Sequence, residues 1–156
     1  MSFWDTIVVG EAILLGSHTF TADEIKRFAA AYDPQVFHLD EEKARASVLG
    51  GLCASGWHTA AVCMRLNVET RYARVREWVE AGNPAPRIGP SPGFRNMAWK
   101  KPVYAGDTIR FSQTVTAKRA TASRPGWGIL EFSTDGVNQH GETVFGFEGV
   151  AFQGLD

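Results

Sequence analysis

Two short segments carry residue types that could do chemistry. In Asp33-Pro34-Gln35-Val36-Phe37-His38, a carboxylate and an imidazole lie five residues apart. On an irregular segment between two helices their side chains can converge and manage the proton traffic of a water molecule. The plainer alternative is that Asp33 closes a helix by an Asx turn before Pro34, with His38 merely packed. The second segment is Ala54-Ser55-Gly56-Trp57-His58, at the start of a long helical pattern. The first amides of a helix point outward without partners, and the dipole places about half a positive charge there. Gly56 has no Cβ, so a ligand oxygen can approach its N–H. Such a donor holds a thioester carbonyl or its enolate. The plainer alternative makes Ser55 an N-cap and Gly56 a close-packing residue. Together, a base with a water and a backbone oxyanion donor are what addition of water to an enoyl thioester requires.

These residues must be positioned by the elements around them. Residues 12–20 suit a short strand, rich in apolar and β-branched types. Thr21-Ala22-Asp23-Glu24 forms a capping box, with Thr21 capping the Glu24 amide and Glu24 reaching back. Ile25, Phe28, Ala29 and Tyr32 follow as one apolar helical stripe, and Pro34 ends the helix at Asp33. A non-periodic stretch from Asp33 to Asp40 leads to a short helix over 41–46, capped by Asp40. Ser55 caps a long helix over Gly56–Val79, with Trp57, Ala60, Ala61, Met64 and Val68 as its buried stripe. Its first half is small and apolar and is expected to be wrapped; its second half is charged and is expected to reach water. Residues 81–93, rich in Pro and Gly, read as a long loop. Beyond it the period becomes two. Strands are expected over 109–117, 127–132 and 143–152, with turns at Arg124-Pro125-Gly126 and Asn138-Gln139-His140-Gly141. Hairpinned strands after one long buried helix predict an α+β fold, an antiparallel sheet curled around a helix.

Composition excludes several classes. The chain has 156 residues, 44% apolar and 21% charged, with 16 Lys+Arg against 17 Asp+Glu. That length fits one domain over 1–156 with a real core, and the charge balance gives no reason to expect nucleic acid or a membrane as partner. No stretch is long and apolar enough to span a bilayer. The N-terminus lacks the basic region of a signal peptide, so the cytoplasm is the expected compartment. Cys53 and Cys63 lie ten apart without metal-ligand spacing and read as reduced core thiols, so no metal is expected. His58 reads as a satisfied core histidine; His18 and His140 receive no role. Trp99 and Trp127 read as packing, as does Trp57 unless it walls an acyl tunnel. Lys100, Lys101, Lys118, Arg119 and Arg124 read as solvated strand ends rather than a phosphate site.

The segments Phe20-Thr21-Ala22-Asp23-Glu24-Ile25, Tyr32-Asp33 through His38-Leu39-Asp40, Gly50-Gly51 and Ala54 to Ala60 resemble the MaoC-like dehydratase family. Lys101 to Ile109 and Asn138 to Glu142 fit the same family, so the resemblance spans about residues 7–153. It implies a hotdog fold and the activity of an (R)-specific enoyl-CoA hydratase or 3-hydroxyacyl-CoA dehydratase in fatty acid metabolism. It places the catalytic pair on Asp33 and His38 and the oxyanion amide on Gly56, with Ser55 and Trp57 beside the substrate. It also implies a homodimer with its pocket where subunits meet, and the expected assembly is that homodimer or a higher homo-oligomer. The substrate is an acyl-CoA or acyl-carrier thioester, with no metal or redox cofactor. The family's Asp-x-Asn-Pro-x-His has Gln35-Val36 in place of its Asn-Pro; Gln35 can replace the Asn as a hydrogen-bonding group but is one methylene longer, and the rigid φ of Pro is gone. An acyl-CoA thioesterase and a catalytically silent acyl-binding subunit are the competing expectations.

Overall fold

The computed structural model describes residues 1–156. A single 3₁₀ turn over Trp4–Thr6 precedes β1 (Ala12–Thr19), α1 (Ala22–Tyr32), α2 (Val36–Leu39), α3 (Glu41–Ala46) and α4 (Gly56–Glu80). Four strands follow: β2 (Gly93–Trp99), β3 (Thr108–Ala120), β4 (Trp127–Val137) and β5 (Thr143–Gly154). They join β1 in one five-stranded antiparallel sheet of order β1-β3-β4-β5-β2. Four register shifts, at Leu14/Gly16, Arg95/Ala98, Val115/Ala117 and Gly136/Val137, interrupt the ladders. Each bulge adds local bend and twist, which curls the sheet. At Gly16 (φ +135°) the Cβ of any other residue would meet Leu66 of α4 at 3.3 Å, so glycine lets the bulge lie against the helix. The expected α+β architecture, a curled antiparallel sheet and a long helix, is the one found.

The core lies where sheet, α1 and the first half of α4 meet. Phe20, Ile25, Ile109, Phe111, Val144 and Phe145 are fully buried there with Val62 and Cys63. Cys53 and Cys63 are free and buried, and burial pushes their thiols up to about 11 and about 12. No helix is long and apolar enough to cross a membrane.

Local signals placed most boundaries. Thr21 accepts from the Glu24 N–H at the start of α1, whose last residue is Tyr32. Asp40 accepts from the Lys43 N–H to cap α3, and Ser55 accepts from the Trp57 N–H to cap α4. Four expectations need correction. Glu24 does not bond back to the Thr21 amide: its Oε1 lies 2.5 Å from His18 Nε2, and its Oε2 accepts from the Thr21 hydroxyl. Tyr32 falls outside the buried stripe of α1 and is exposed. The stretch after Pro34 contains the single helical turn α2. Most consequentially, the Trp57-Ala61-Met64-Val68 stripe of α4 faces outward; Trp57, Met64 and Val68 are 55%, 52% and 41% exposed. The buried residues of α4 are instead His58, Thr59, Val62 and Cys63, with Phe28 of α1 stacked on His58. Spacing reveals an apolar stripe but not what covers it, and α4 has apolar surface on two sides.

Candidate active site

Asp33 closes α1: its N–H donates to Ala29 O, while its own φ of −153° leaves the helix. Pro34 follows in a tight turn, in which Gln35 N–H donates to Asp33 O. That turn aims α2 back toward the start of α4, bringing His38 into the interior, where it is buried. The segment before α4 is pinned from both sides. Cys53 N–H donates to Phe37 O of α2, and Ala54 N–H donates to Val103 O of the loop before β3. Ser55 is thereby held fully buried at the mouth of α4.

The side chains then converge. The Ser55 hydroxyl donates to Asp33 Oδ2 at 2.7 Å, and the Gln35 amide donates to Asp33 Oδ1 at 2.8 Å. His38 Nε2 lies 3.4 Å from Asp33 Oδ2. His38 Nδ1 is 2.6 Å from the Cys53 carbonyl, which can only accept, so Nδ1 carries a proton and donates. In the neutral ring Nε2 is then a bare lone pair facing a carboxylate. Two acceptors in that position call for a shared proton or for a donor such as water beside them.

Burial alone would raise the pKa of Asp33, but the Ser55 hydroxyl, the Gln35 amide and neighbouring His38 outweigh it and hold the carboxyl below its ordinary value. The N-terminal end of α4 favours the same anion. A carboxylate with a depressed folded pKa contributes stability above its unfolded pKa. That contribution is lost as pH falls through the lower folded value. Ser55→Ala removes one donor and raises the Asp33 pKa, so the acid limb of a pH–rate profile should move to higher pH. Loss of the cap should also cost about 1 kcal/mol in chemical denaturation. An unmoved acid limb would show that the Ser55 hydroxyl does not tune Asp33.

Gly56 opens α4, and its N–H makes no hydrogen bond within the chain. A Cβ there would fall 2.5–2.7 Å from the Trp99 indole, whose Nε1–H donates to Gly56 O at 2.7 Å. Glycine is therefore required here for the tryptophan to lie flat on the helix start, the close-packing alternative of the sequence reading. The N–H remains available. Trp57 meets Trp99 edge-on at 5.1 Å and is exposed on the outer face. Asp33, His38, Ser55 and Gly56 thus come together, with Trp57 at the margin.

Two contributors escaped sequence reasoning: the Cys53 carbonyl that orients His38, and Trp99 over Gly56; the Gln35 amide hydrogen-bonds as expected, and its partner is Asp33. Gln35 stood out as a departure from the family pattern; Trp99, on a strand 43 positions away, left no local signal. His58 is not the satisfied core histidine expected. Its Nδ1 has no partner, its Nε2 is 3.5 Å from Glu24, and Phe28 stacks on the ring at 4.6 Å. Burial, partly opposed by Glu24, lowers its pKa. The basic strand ends are engaged locally: Lys101 pairs with Glu142, Lys118 lies over Trp4, and Arg124 lies over Phe152.

A family profile described as MaoC like domain matches residues 8–126. The chain belongs to the MaoC-like dehydratase family and has its hotdog fold. The uncharacterized protein YdeM of Bacillus subtilis (strain 168) is 31% identical over 141 residues, covering 90% of this chain and 91% of that protein. The crystal structure of the MaoC-like dehydratase from Rhodospirillum rubrum superposes with a TM-score of 0.80 at 36% identity, covering 99% of this chain and 97% of that one. R-hydratase PhaJ1 from Pseudomonas aeruginosa shares the fold, with a TM-score of 0.69 at 19% identity over 98% of this chain and 86% of its own.

Proposed function

We propose that the protein, acting over 1–156 as one MaoC-like domain, adds water to an enoyl thioester or dehydrates the (R)-3-hydroxyacyl product. The observation that carries this reading is the convergence of Asp33 and His38, 3.4 Å apart, beside the unpaired N–H of Gly56. Asp33, held ionised by Ser55 and Gln35, is the general base. His38, anchored through Nδ1 on the Cys53 carbonyl, orients the water with its free Nε2. The water's oxygen bonds to C3 as its proton passes to Asp33, and the C2–C3 π pair moves toward the thioester oxygen. The Gly56 N–H and the α4 dipole stabilise the resulting enolate. One preorganised donor of this kind contributes about 3–4 kcal/mol in a known oxyanion hole. The proton held on Asp33 then passes to C2 from the same side, restoring the carbonyl and the free carboxylate. Water supplies every atom added, so the proposed chemistry calls for no metal or redox cofactor, and the substrate is a coenzyme A or acyl-carrier thioester.

Support for a homodimer comes from the outward stripe of α4 and the neighbouring edge strand β2. Trp57, Met64, Val68 and Tyr72 on the helix and Phe94 and Trp99 on the strand are all exposed. Large exposed apolar patches and uncovered sheet edges call for cover, which a second copy can supply.

The test is to offer trans-2-enoyl-CoA esters of several chain lengths and resolve the 3-hydroxyacyl product chirally. An (R) product is expected. Release of free thiol instead would establish a thioesterase, and thermal stabilisation by acyl-CoA without turnover would establish a silent binding subunit.

A further inference from the structure

Beyond the proposed catalytic groups, a cavity of about 300 Å³ lies between the later turns of α4 and the concave face of the sheet. Its walls are mostly apolar, with Ile13, Leu15, Val115, Leu130, Phe132 and Phe147 among them. The lining also contains Arg71 and Arg74 but no aspartate or glutamate. Arg71 is half-buried, and no carboxylate lies within ion-pair distance of it. Its hydrogen bonds are both to neutral acceptors and both from Nη2, to Gln153 Oε1 at 3.0 Å and to Phe152 O at 3.5 Å. Nε and Nη1 are left without a protein partner.

The support behind Arg71 is built rather than incidental. Gln153 is almost completely buried, and its Nε2 donates to Arg87 O at 3.0 Å, which fixes the amide with its oxygen toward the guanidinium. Arginine in such surroundings normally has an anion, because its planar fork matches a carboxylate and its desolvation is otherwise uncompensated. Burial accordingly lowers the Arg71 pKa, partly opposed by Tyr72.

We propose that this cavity binds a carboxylate carried on an apolar chain, with Arg71 as its counter-ion. The chain lies against the aliphatic and aromatic wall while the carboxylate meets the free guanidinium edge. Two sources share that chemistry: a free fatty acid, or an acyl thioester whose far end is itself a carboxylate. The second rests on the thioester function proposed above; the first does not. Along the helix, Gly56 and Arg71 are about 22 Å apart at 1.5 Å per residue, so the thioester source requires a long chain. Met64, Val68 and Tyr72 belong both to the cavity lining and to the exposed stripe, so a second copy seated there would also roof the cavity.

The test is direct binding of decanoate and of decanol to the full chain by calorimetry, which needs no catalytic activity. Decanoate is expected to bind at one site per chain and at least tenfold more tightly than decanol. Arg71→Gln should abolish that preference while leaving decanol binding unchanged, and Arg71→Lys, which keeps the cation, should retain part of it. Circular dichroism of both variants guards against misfolding. Equal affinity for acid and alcohol, no binding of either, or an unchanged preference in Arg71→Gln would overturn the proposal. Competition then separates the sources. Displacement of decanoate by a long ω-carboxyl enoyl-CoA but not by its monocarboxylic counterpart identifies the far end of the substrate. Failure of both thioesters to displace it identifies a free acid. Catalysis of monocarboxylic substrates with normal kinetics in Arg71→Gln would show that the thioester function stands whatever the cavity binds.

Discussion

Asp33→Asn is expected to lower kcat/KM for hydration of an enoyl thioester by about 10²–10⁴-fold, the range over which positioned acid–base groups contribute. The side chain keeps its shape, so α1, its cap and the turn at Pro34 are preserved. What disappears is the ability to accept a proton. The amide also presents an N–H₂ where the carboxylate had an oxygen, so either Ser55 or Gln35 faces a donor in place of an acceptor. That mismatch should cost about 1 kcal/mol of stability, too little to unfold the chain. His38→Gln should cause a loss of similar size, because Nε2 and Asp33 Oδ2 lie 3.4 Å apart and would serve the same water in the proposed reaction. The double variant should be little worse than either single one, since groups acting as a unit are strongly non-additive. Steady-state kinetics beside thermal melts check all three. Full activity in Asp33→Asn would remove Asp33 from the reaction.

The second large effect concerns assembly. Ala61 sits on the outward stripe of α4 between Trp57 and Met64, is exposed, and does not line the cavity. Ala61→Glu should therefore leave the fold of one chain intact, as glutamate is a good helix former. In a two-fold dimer centred on this stripe the new carboxylate is buried twice. A buried charge lacking its partner costs about 3–5 kcal/mol, and isologous symmetry doubles it. The dissociation constant should rise by four or more orders of magnitude. Sedimentation should find the native protein at twice the 17.1 kDa chain mass and the variant at that mass itself. A variant that stays dimeric with its native affinity would place the interface elsewhere.

Most of the scaffold around the site was legible without coordinates because its signals are local. Thr21, Asp40 and Ser55 cap helices through their own following amides, and Pro34 stops α1 through its immediate neighbour. Alternation of side chains located β3 to β5 for the same reason, though β4 runs on to Val137. Edge strand β2 was missed, because it is short, bulged and contains Asn96 at positive φ. The turn α2 was hidden in a segment too short to show a helical period.

The sequence by itself determined the chemical repertoire: an acid and an imidazole after one helix, and a glycine amide at the head of another. Helix caps and strand period also arise within a few residues, and the chain carries them wherever it folds. Tertiary structure alone decided that the Ser55 hydroxyl reaches Asp33, that Cys53 O orients His38, and that Trp99 covers Gly56. It decided too which side of α4 is covered, and that Arg71 stands over an apolar cavity without a carboxylate. Those outcomes depend on which distant surfaces meet, because burial and long-range hydrogen bonding belong to pairs of segments and no single stretch of chain encodes its own partner.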